Sequence, residues 1–213
     1  MTLPADARLY LVAGAEVAAG RLADLVPELA GAGVDVLQLR EKEMDAAPLF
    51  HAAQGLALTC RTVGIPFFVN DRPDIAVAAG APGVHLGQDD LPLEAVRRVS
   101  RELLVGWSTH SEEQIDAVLS WDVRPDYIAV GPVFETPTKP GRPATGLGLV
   151  EYAAGSVPGE LPWFAIGGID GDNLPDVLAA GARRIVVVRA IADRQDPADA
   201  AARLRVALDA VAV

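Results

Sequence analysis

Val34-Asp35-Val36-Leu37-Gln38-Leu39-Arg40-Glu41-Lys42 is the stretch on which the fold turns. Side chains alternate across a strand, so Val34, Val36, Gln38, Arg40 and Lys42 share one face while Leu37 and Leu39 take the other. The two leucines suit an outer face covered by a helix, which leaves Gln38 and Arg40 pointing inward. The plainer alternative is a frayed strand end with solvated charges, but an inward Gln and Arg beside a packed core need partners. Short apolar runs recur on either side, at 8–12, 34–39, 66–69, 83–86, 103–106, 127–130, 163–166 and 185–188, or roughly one per 27 residues of the 213. Most lack strict alternation, as expected of strands covered on both faces.

Helical spacing fills the intervals. Ala18, Leu22, Leu25 or Val26, and Leu29 make one stripe; Ala201, Leu204, Leu208 and Val211 make another. Asp196-Pro197 reads as a cap followed by a first-turn proline, and Ser111 with Gln114 reads as a capping box. Asp45, Asp74 and Asp172 or Asn173 are further N-cap candidates, and Gly31, Gly64, Gly80 and Gly181 stand where helices should stop. Strand and helix alternating eight times with short connections predict an α/β fold, a (β/α)8 TIM barrel forming a single domain over residues 1–213. A doubly wound open sheet is the rival. It usually carries a glycine-rich first turn, and Ala13-Gly14-Ala15-Glu16 is not one.

Composition narrows the partners. Eighteen Lys and Arg against twenty-nine Asp and Glu leave a net charge of −11, which is repelled by nucleic-acid phosphates and by anionic membranes. No basic leader followed by an apolar run opens the chain, and no window resembles a membrane span, so a cytoplasmic location is expected. The single cysteine, Cys60, rules out an internal disulfide and reads as a small buried hydrophobe. The three histidines, His51, His85 and His110, are scattered, which disfavours zinc, and His110 reads as structural. No lysine lies inside a strand, which disfavours a Schiff-base aldolase. The expected partners are small phosphorylated molecules, with no nucleic acid and no membrane; the oligomeric state is left open.

Function in such a barrel sits where the strands end. Asn70 and Asp71 close the third strand and read either as a turn or as ligands. Asp90, after the fourth, reads either as a helix cap or as a second carboxylate facing Asp71, a pair suited to Mg2+ completed by waters and substrate phosphates. Ser108 ends the fifth strand as a reactive hydroxyl or a loop donor, with no activating partner readable nearby. The sixth strand leads into a long loop, 131–146, with four prolines and with Thr136, Thr138, Lys139 and Arg142; it reads as a binding loop or lid rather than a linker. Gly167-Gly168 after the seventh strand and Val188-Arg189 after the eighth lie where this fold binds phosphate through backbone N–H groups. Arg40, Lys42 and Lys139 thus gather cations at one end of an acidic protein, beside two acids and a glycine-lined phosphate site.

The segments Gln38-Leu39-Arg40-Glu41-Lys42, Val69-Asn70-Asp71, Val84-His85-Leu86-Gly87-Gln88-Asp89-Asp90, Gly106-Trp107-Ser108, Gly131-Pro132-Val133-Phe134-Glu135-Thr136-Pro137-Thr138-Lys139 and Ile166-Gly167-Gly168-Ile169 together resemble the thiamine-phosphate synthase family. The resemblance runs in order over about residues 8–192. It implies a transferase that joins hydroxymethylpyrimidine diphosphate to thiazole phosphate, plain or carboxylated, and releases pyrophosphate along a dissociative path. It further implies Gln38, Arg40, Lys42, Asn70 and Lys139 as ligands of the pyrimidine diphosphate, Asp71 and Asp90 as Mg2+ ligands, and Ser108 near the reacting side of the pyrimidine. Thr136, Thr138, Gly168, Val188 and Arg189 fall to the thiazole phosphate. Among these, Ser108, Lys139, Arg40 and Lys42 carry the catalytic role.

At Arg189 the chain departs from the serine that the family often carries. A backbone contact would leave this harmless, whereas the guanidinium would either add a phosphate contact or point away. Three other functions compete. A thiazole tautomerase would share the barrel and phosphate site without the diphosphate half, and a non-catalytic protein would bind thiamine phosphate without turnover. A sugar-phosphate isomerase would need an acid/base pair that does not stand out.

Overall fold

Each short apolar run forms a strand that pairs in parallel with its neighbours, and the first strand pairs also with the last. The computed structural model describes residues 2–136 and 143–211. Its strands are β1 (Leu9–Ala13), β2 (Val36–Leu39), β3 (Phe67–Asn70), β4 (Gly83–Leu86), β5 (Leu104–Thr109), β6 (Tyr127–Val130), β7 (Trp163–Ile166) and β8 (Ile185–Val187). They close into one barrel in sequence order, with Tyr10 of β1 in register with Val36 on one side and Val186 on the other. Around it run α1 (Leu22–Gly31), α2 (Ala46–Val63), α3 (Pro73–Ala79), α4 (Leu93–Val99), α5 (Glu112–Ser120), α6 (Gly146–Ser156), α7 (Leu174–Ala179), the short α8 (Arg189–Ala192) and α9 (Pro197–Asp209). The expected (β/α)8 barrel is the observed one. Among the described residues no helix is long and apolar enough to cross a membrane.

Alternation along the strands divides the core in two. Outward residues such as Leu37, Leu39, Val69, Leu86 and Trp107 pack against Leu29, Leu56, Ile115 and Leu204 of the helices. Inward residues Tyr10, Val12, Val36, Phe68, Leu104, Tyr127, Phe164 and Val186 fill the cylinder. The inner aromatics meet edge to face, Phe68 with Tyr127 at 5.3 Å and Tyr10 with Phe164 at 5.5 Å between ring centres. Such pairs are favourable because a ring's positive edge faces another's negative face. Space for them comes from glycine: a Cβ at Gly83 would overlap the Phe68 ring, and one at Gly106 would overlap Tyr127 and His85.

Several local expectations needed correction. Val34 lies before β2 and packs with the outer core, so the inward face begins at Val36. Ala18 belongs to the turn of a small hairpin, Glu16–Val17 with Gly20–Arg21, that precedes α1. Strand β5 runs on through Trp107, Ser108 and Thr109 because these pair with Ile128, Ala129 and Val130 of β6, and because Trp107 packs against Trp121. Asp74 is inside the first turn of α3 and pairs with Arg72, which holds the cap position. Asn173 holds the N-cap position of α7 without a side-chain cap bond, and the turn before it is closed by Asp170, which accepts from the N–H groups of Asp172 and Asn173. Gly31 is the last helical residue of α1, with Ala32 at the cap. The caps at Ser111 and Asp196 form as read, each accepting the N–H three residues on, and Gly64 and Gly80 end their helices in the left-handed conformation. Cys60 is buried in α2, and burial pushes its thiol up to about 12.

The floor of the barrel, where the strands begin, is held by two similar clamps. Asp35, just before β2, accepts the backbone N–H groups of Arg8 and Leu9 at 2.6 and 2.9 Å and also pairs with Arg205 of α9 at 2.9 Å. Asp126, just before β6, accepts the N–H of Val105 at 2.7 Å and pairs with Arg97 of α4. In each case an acid reaches back to the preceding strand while a helix arginine pairs with the same carboxylate.

Two outcomes follow from this packing. Asp35→Ala strands two backbone donors and removes one of the two carboxylates that pair with Arg205, and should lower stability by about 2–4 kcal/mol, read as an earlier urea midpoint with an unchanged slope. Gly106→Ala forces a methyl group against Tyr127, and should cost about 1–3 kcal/mol with a changed near-ultraviolet dichroism from the inner aromatics. Wild-type unfolding curves for both variants would contradict the packing described.

Candidate active site

Closure brings eight strand ends to one rim, and a cavity of about 340 Å3 opens there. Its floor is the upper layer of inward residues. Gln38, Arg40, Asn70, Ser108, Thr136, Gly168, Val188 and Arg189 all line it. The inward turn of Gln38 and Arg40 is therefore real: Gln38 is buried, and Arg40 is fixed by its backbone N–H bond to Ala13 at 2.8 Å. Arg189 stands at the first position of α8 with an exposed side chain. Thr138 and Lys139 lie outside the described residues.

Lys42, Asp71 and Asp90 form a second group beside this cavity. Asp71 follows β3 with φ at +62°, a left-handed conformation that a short polar side chain tolerates better than most. Its backbone N–H bonds the His85 carbonyl at 2.9 Å, and its carboxylate lies 3.4 Å from the Lys42 ammonium. Asp90 is the neighbouring acid that acts on the Asp71 carboxyl. Burial first, then the neighbouring Asp90, push the Asp71 carboxyl above the usual carboxylate range, with Lys42 opposing. Asp90 also accepts the Gly87 N–H at 2.6 Å, so its side chain closes its own turn as well as facing Asp71. Two crowded acids of this kind suit a hard divalent cation that draws its other ligands from water or substrate oxygens. Among the described residues no group of three or more His, Cys, Asp and Glu is gathered for a metal.

The far side of the cavity is built from backbone. Gly167 and Gly168 have φ of +109° and +65°, and a Cβ at Gly168 would come within 2.7 Å of Phe134. The segment after β6 is stitched to this turn: the N–H groups of Val133 and Phe134 donate to the carbonyls of Ile166 and Gly167 at 2.9 and 3.0 Å. Asn173 donates to the Gly168 carbonyl at 2.8 Å, which fixes the turn from behind. Glycine here serves close approach of the two loops and bares backbone in this part of the cavity wall, a surface that suits an anionic group held by N–H donors.

The structure also supplies partners that the sequence reading missed. Ser108 is buried within β5, and its hydroxyl lies 2.9 Å from Nε2 of His85. Nδ1 of His85 lies 2.8 Å from the Tyr127 hydroxyl, which lies 2.9 Å from that of Tyr10. Gln38 donates from Nε2 to the Tyr10 hydroxyl at 2.8 Å. Applying period two to Gly83-Val84-His85-Leu86 puts His85 inward, so the signal was present. His110, read as structural, lines the cavity as well, with Nδ1 against the Gly131 carbonyl. Asp170, Asp193 and Arg194 also border it.

Comparison with known proteins agrees with this geometry. The family model described as thiamine monophosphate synthase matches residues 9–191. The thiamine-phosphate synthase of Acidothermus cellulolyticus is 52% identical over 209 residues, covering 98% of each chain. That of Thermus thermophilus is 55% identical over 184 residues, covering 86% of this chain and 87% of the relative. Among solved structures, thiamine phosphate pyrophosphorylase from Pyrococcus furiosus superposes with a TM-score of 0.85 at 29% identity, over 96% of both chains. The match spans all eight strands whose ends ring the cavity, and so the chain belongs to the thiamine monophosphate synthase family of enzymes.

Proposed function

We propose that this chain joins hydroxymethylpyrimidine diphosphate to thiazole phosphate, plain or carboxylated, giving thiamine phosphate and pyrophosphate, with carbon dioxide released as well when the thiazole is carboxylated. The observation that carries the reading is that a single cavity is lined on one arc by Gln38, Arg40, Asn70 and Ser108, and on the other by Gly168, Val188 and Arg189. One arc offers charge and polar side chains; the other offers backbone around a glycine turn. Two differently built half-sites facing one space suit two phosphorylated substrates meeting there.

The reaction breaks the bond between the pyrimidine methylene and a diphosphate oxygen, then forms a bond from that methylene to the thiazole nitrogen. Diphosphate leaves readily only when its charge is offset. Arg40 lines the cavity and Lys42 stands beside Asp71, and with Lys139 these cations take up that charge. Asp71 and Asp90 would hold Mg2+, which when bound supplies further positive charge to the diphosphate oxygens. Gln38 and Asn70 orient the pyrimidine, and Ser108 meets its reacting side. The Gly168 turn and the start of α8 hold the thiazole phosphate so that its ring nitrogen faces the methylene. The packed aromatic layer beneath keeps water from the reacting carbon from below.

The test is synthesis of thiamine phosphate from both substrates by purified protein, with and without Mg2+. Turnover should require the metal. Asp71→Ala and Lys139→Ala should each lower kcat by about 10²–10³-fold, the scale for losing one charge-stabilising group, while the circular dichroism spectrum stays that of the wild type. Arg40→Gln should act on the same half-reaction and leave affinity for thiazole phosphate unchanged. Full synthesis by both the Asp71 and Lys139 variants would reject the assignment. Isomerisation of the carboxylated thiazole without pyrimidine or metal would point to a tautomerase instead.

A further inference from the structure

Five side chains on five strands run in unbroken contact through the interior: Gln38 (β2), Tyr10 (β1), Tyr127 (β6), His85 (β4) and Ser108 (β5). The links measure 2.8, 2.9, 2.8 and 2.9 Å in that order. All five residues are buried, with none more than 7% exposed, so a hydrogen left without an acceptor here is strongly disfavoured. Gly106 leaves the space in which Tyr127 reaches His85. Burial holds both tyrosine hydroxyls well above their usual range, so each keeps its single hydrogen.

Proton accounting gives this chain a direction. The Gln38 nitrogen only donates, so Tyr10 accepts there and must pass its own hydrogen to Tyr127. Tyr127 then has one hydrogen to give, and His85 Nδ1 is its acceptor. That leaves the imidazole hydrogen on Nε2, donated to the Ser108 oxygen. Ser108 must then aim its own hydrogen elsewhere, and it lines the cavity. With the amide placed this way, the opposite order would make Tyr10 accept twice and bury its hydroxyl hydrogen without an acceptor.

We propose that these side chains form a one-way hydrogen-bond chain, polarised by the Gln38 amide, that holds His85 as the Nε2–H tautomer and turns the Ser108 hydroxyl hydrogen into the cavity. Tyr10, Tyr127 and His85 are on this view positioning residues for Ser108. Both ends of the chain open on the same cavity. A ligand amino group that donates to the Gln38 amide oxygen locks the amide with its nitrogen toward Tyr10, and thereby fixes Ser108 as a donor several ångströms away. This last step rests on the proposed function, since it needs the pyrimidine, whose ring carries an amino group, at Gln38.

The experiment reads the tautomer directly, by nitrogen-15 NMR of the intact protein labelled at its three histidines, with His85→Gln identifying the His85 signals. The wild type should show His85 protonated on Nε2 alone. Gln38→Glu puts an acceptor where the donor stood, so every link should reverse and the hydrogen should move to Nδ1. A wild-type His85 protonated on Nδ1, or on both nitrogens, would overturn the proposal, as would an unchanged tautomer in Gln38→Glu. Kinetics give an independent arm. Tyr127→Phe should lower kcat about tenfold with KM within twofold, and adding it to Ser108→Ala should cost nothing further. Additive losses would mean that Tyr127 merely supports the fold. The tautomer does not depend on the identity of the substrates, so failed synthesis by the wild type would reject the proposed function while the chain is still read.

Discussion

Closure is the constraint from which the rest of this structure follows. Because β1 pairs with both β2 and β8, the barrel sheet has no open edge, and the ends of its eight strands are forced onto one circle. Residues as distant in the chain as Gln38 and Val188 become neighbours around a single opening without any segment reaching out to make it so. Closure also creates an interior that must be filled. The inward positions supply four rings in contact, and two glycines supply the room for them. The cavity begins where that filling stops.

Polarity increases along the axis. Apart from Tyr127, inward residues that do not reach the cavity are apolar, Val36 and Leu104 among them. The next layer carries hydroxyls and an imidazole that satisfy one another, and the rim carries charge. A buried polar layer is tolerated because each group has a partner. Its cost is low, and it converts an inert core into a base on which a ligand can be read. Opposite-signed groups at the rim are handled differently. Lys42 and Asp71 are paired while Asp90 crowds the same carboxyl, so that one small region holds a cation beside two acids.

Much of this was legible in the sequence, and for identifiable reasons. Strands buried on both faces leave short apolar runs, and three of the eight, β4, β6 and β7, have the bounds that the runs suggested. The alternation Leu37-Gln38-Leu39-Arg40 gave the inward pair directly. Where the reading fell short, the determining contact lay between elements. Ser108 and Thr109 look like loop residues and are strand because β6 lies beside them. The partner of Ser108 is 23 residues away on another strand, so no local pattern around Ser108 could reveal it. Asp35 and Asp126 were passed over because an acid before a strand resembles a turn, and only the backbone it reaches shows its purpose.

Those two acids have a wider consequence. They precede β2 and β6, four places apart in a ring of eight, so the cylinder is riveted at antipodes of its base. A container fastened at diametrically opposed points of its foundation resists splaying whatever is done to its lip. Insertions, substitutions and sequence drift among the upper loops therefore leave the vessel standing, and new chemistries can be fitted above a base that does not need to be rebuilt each time.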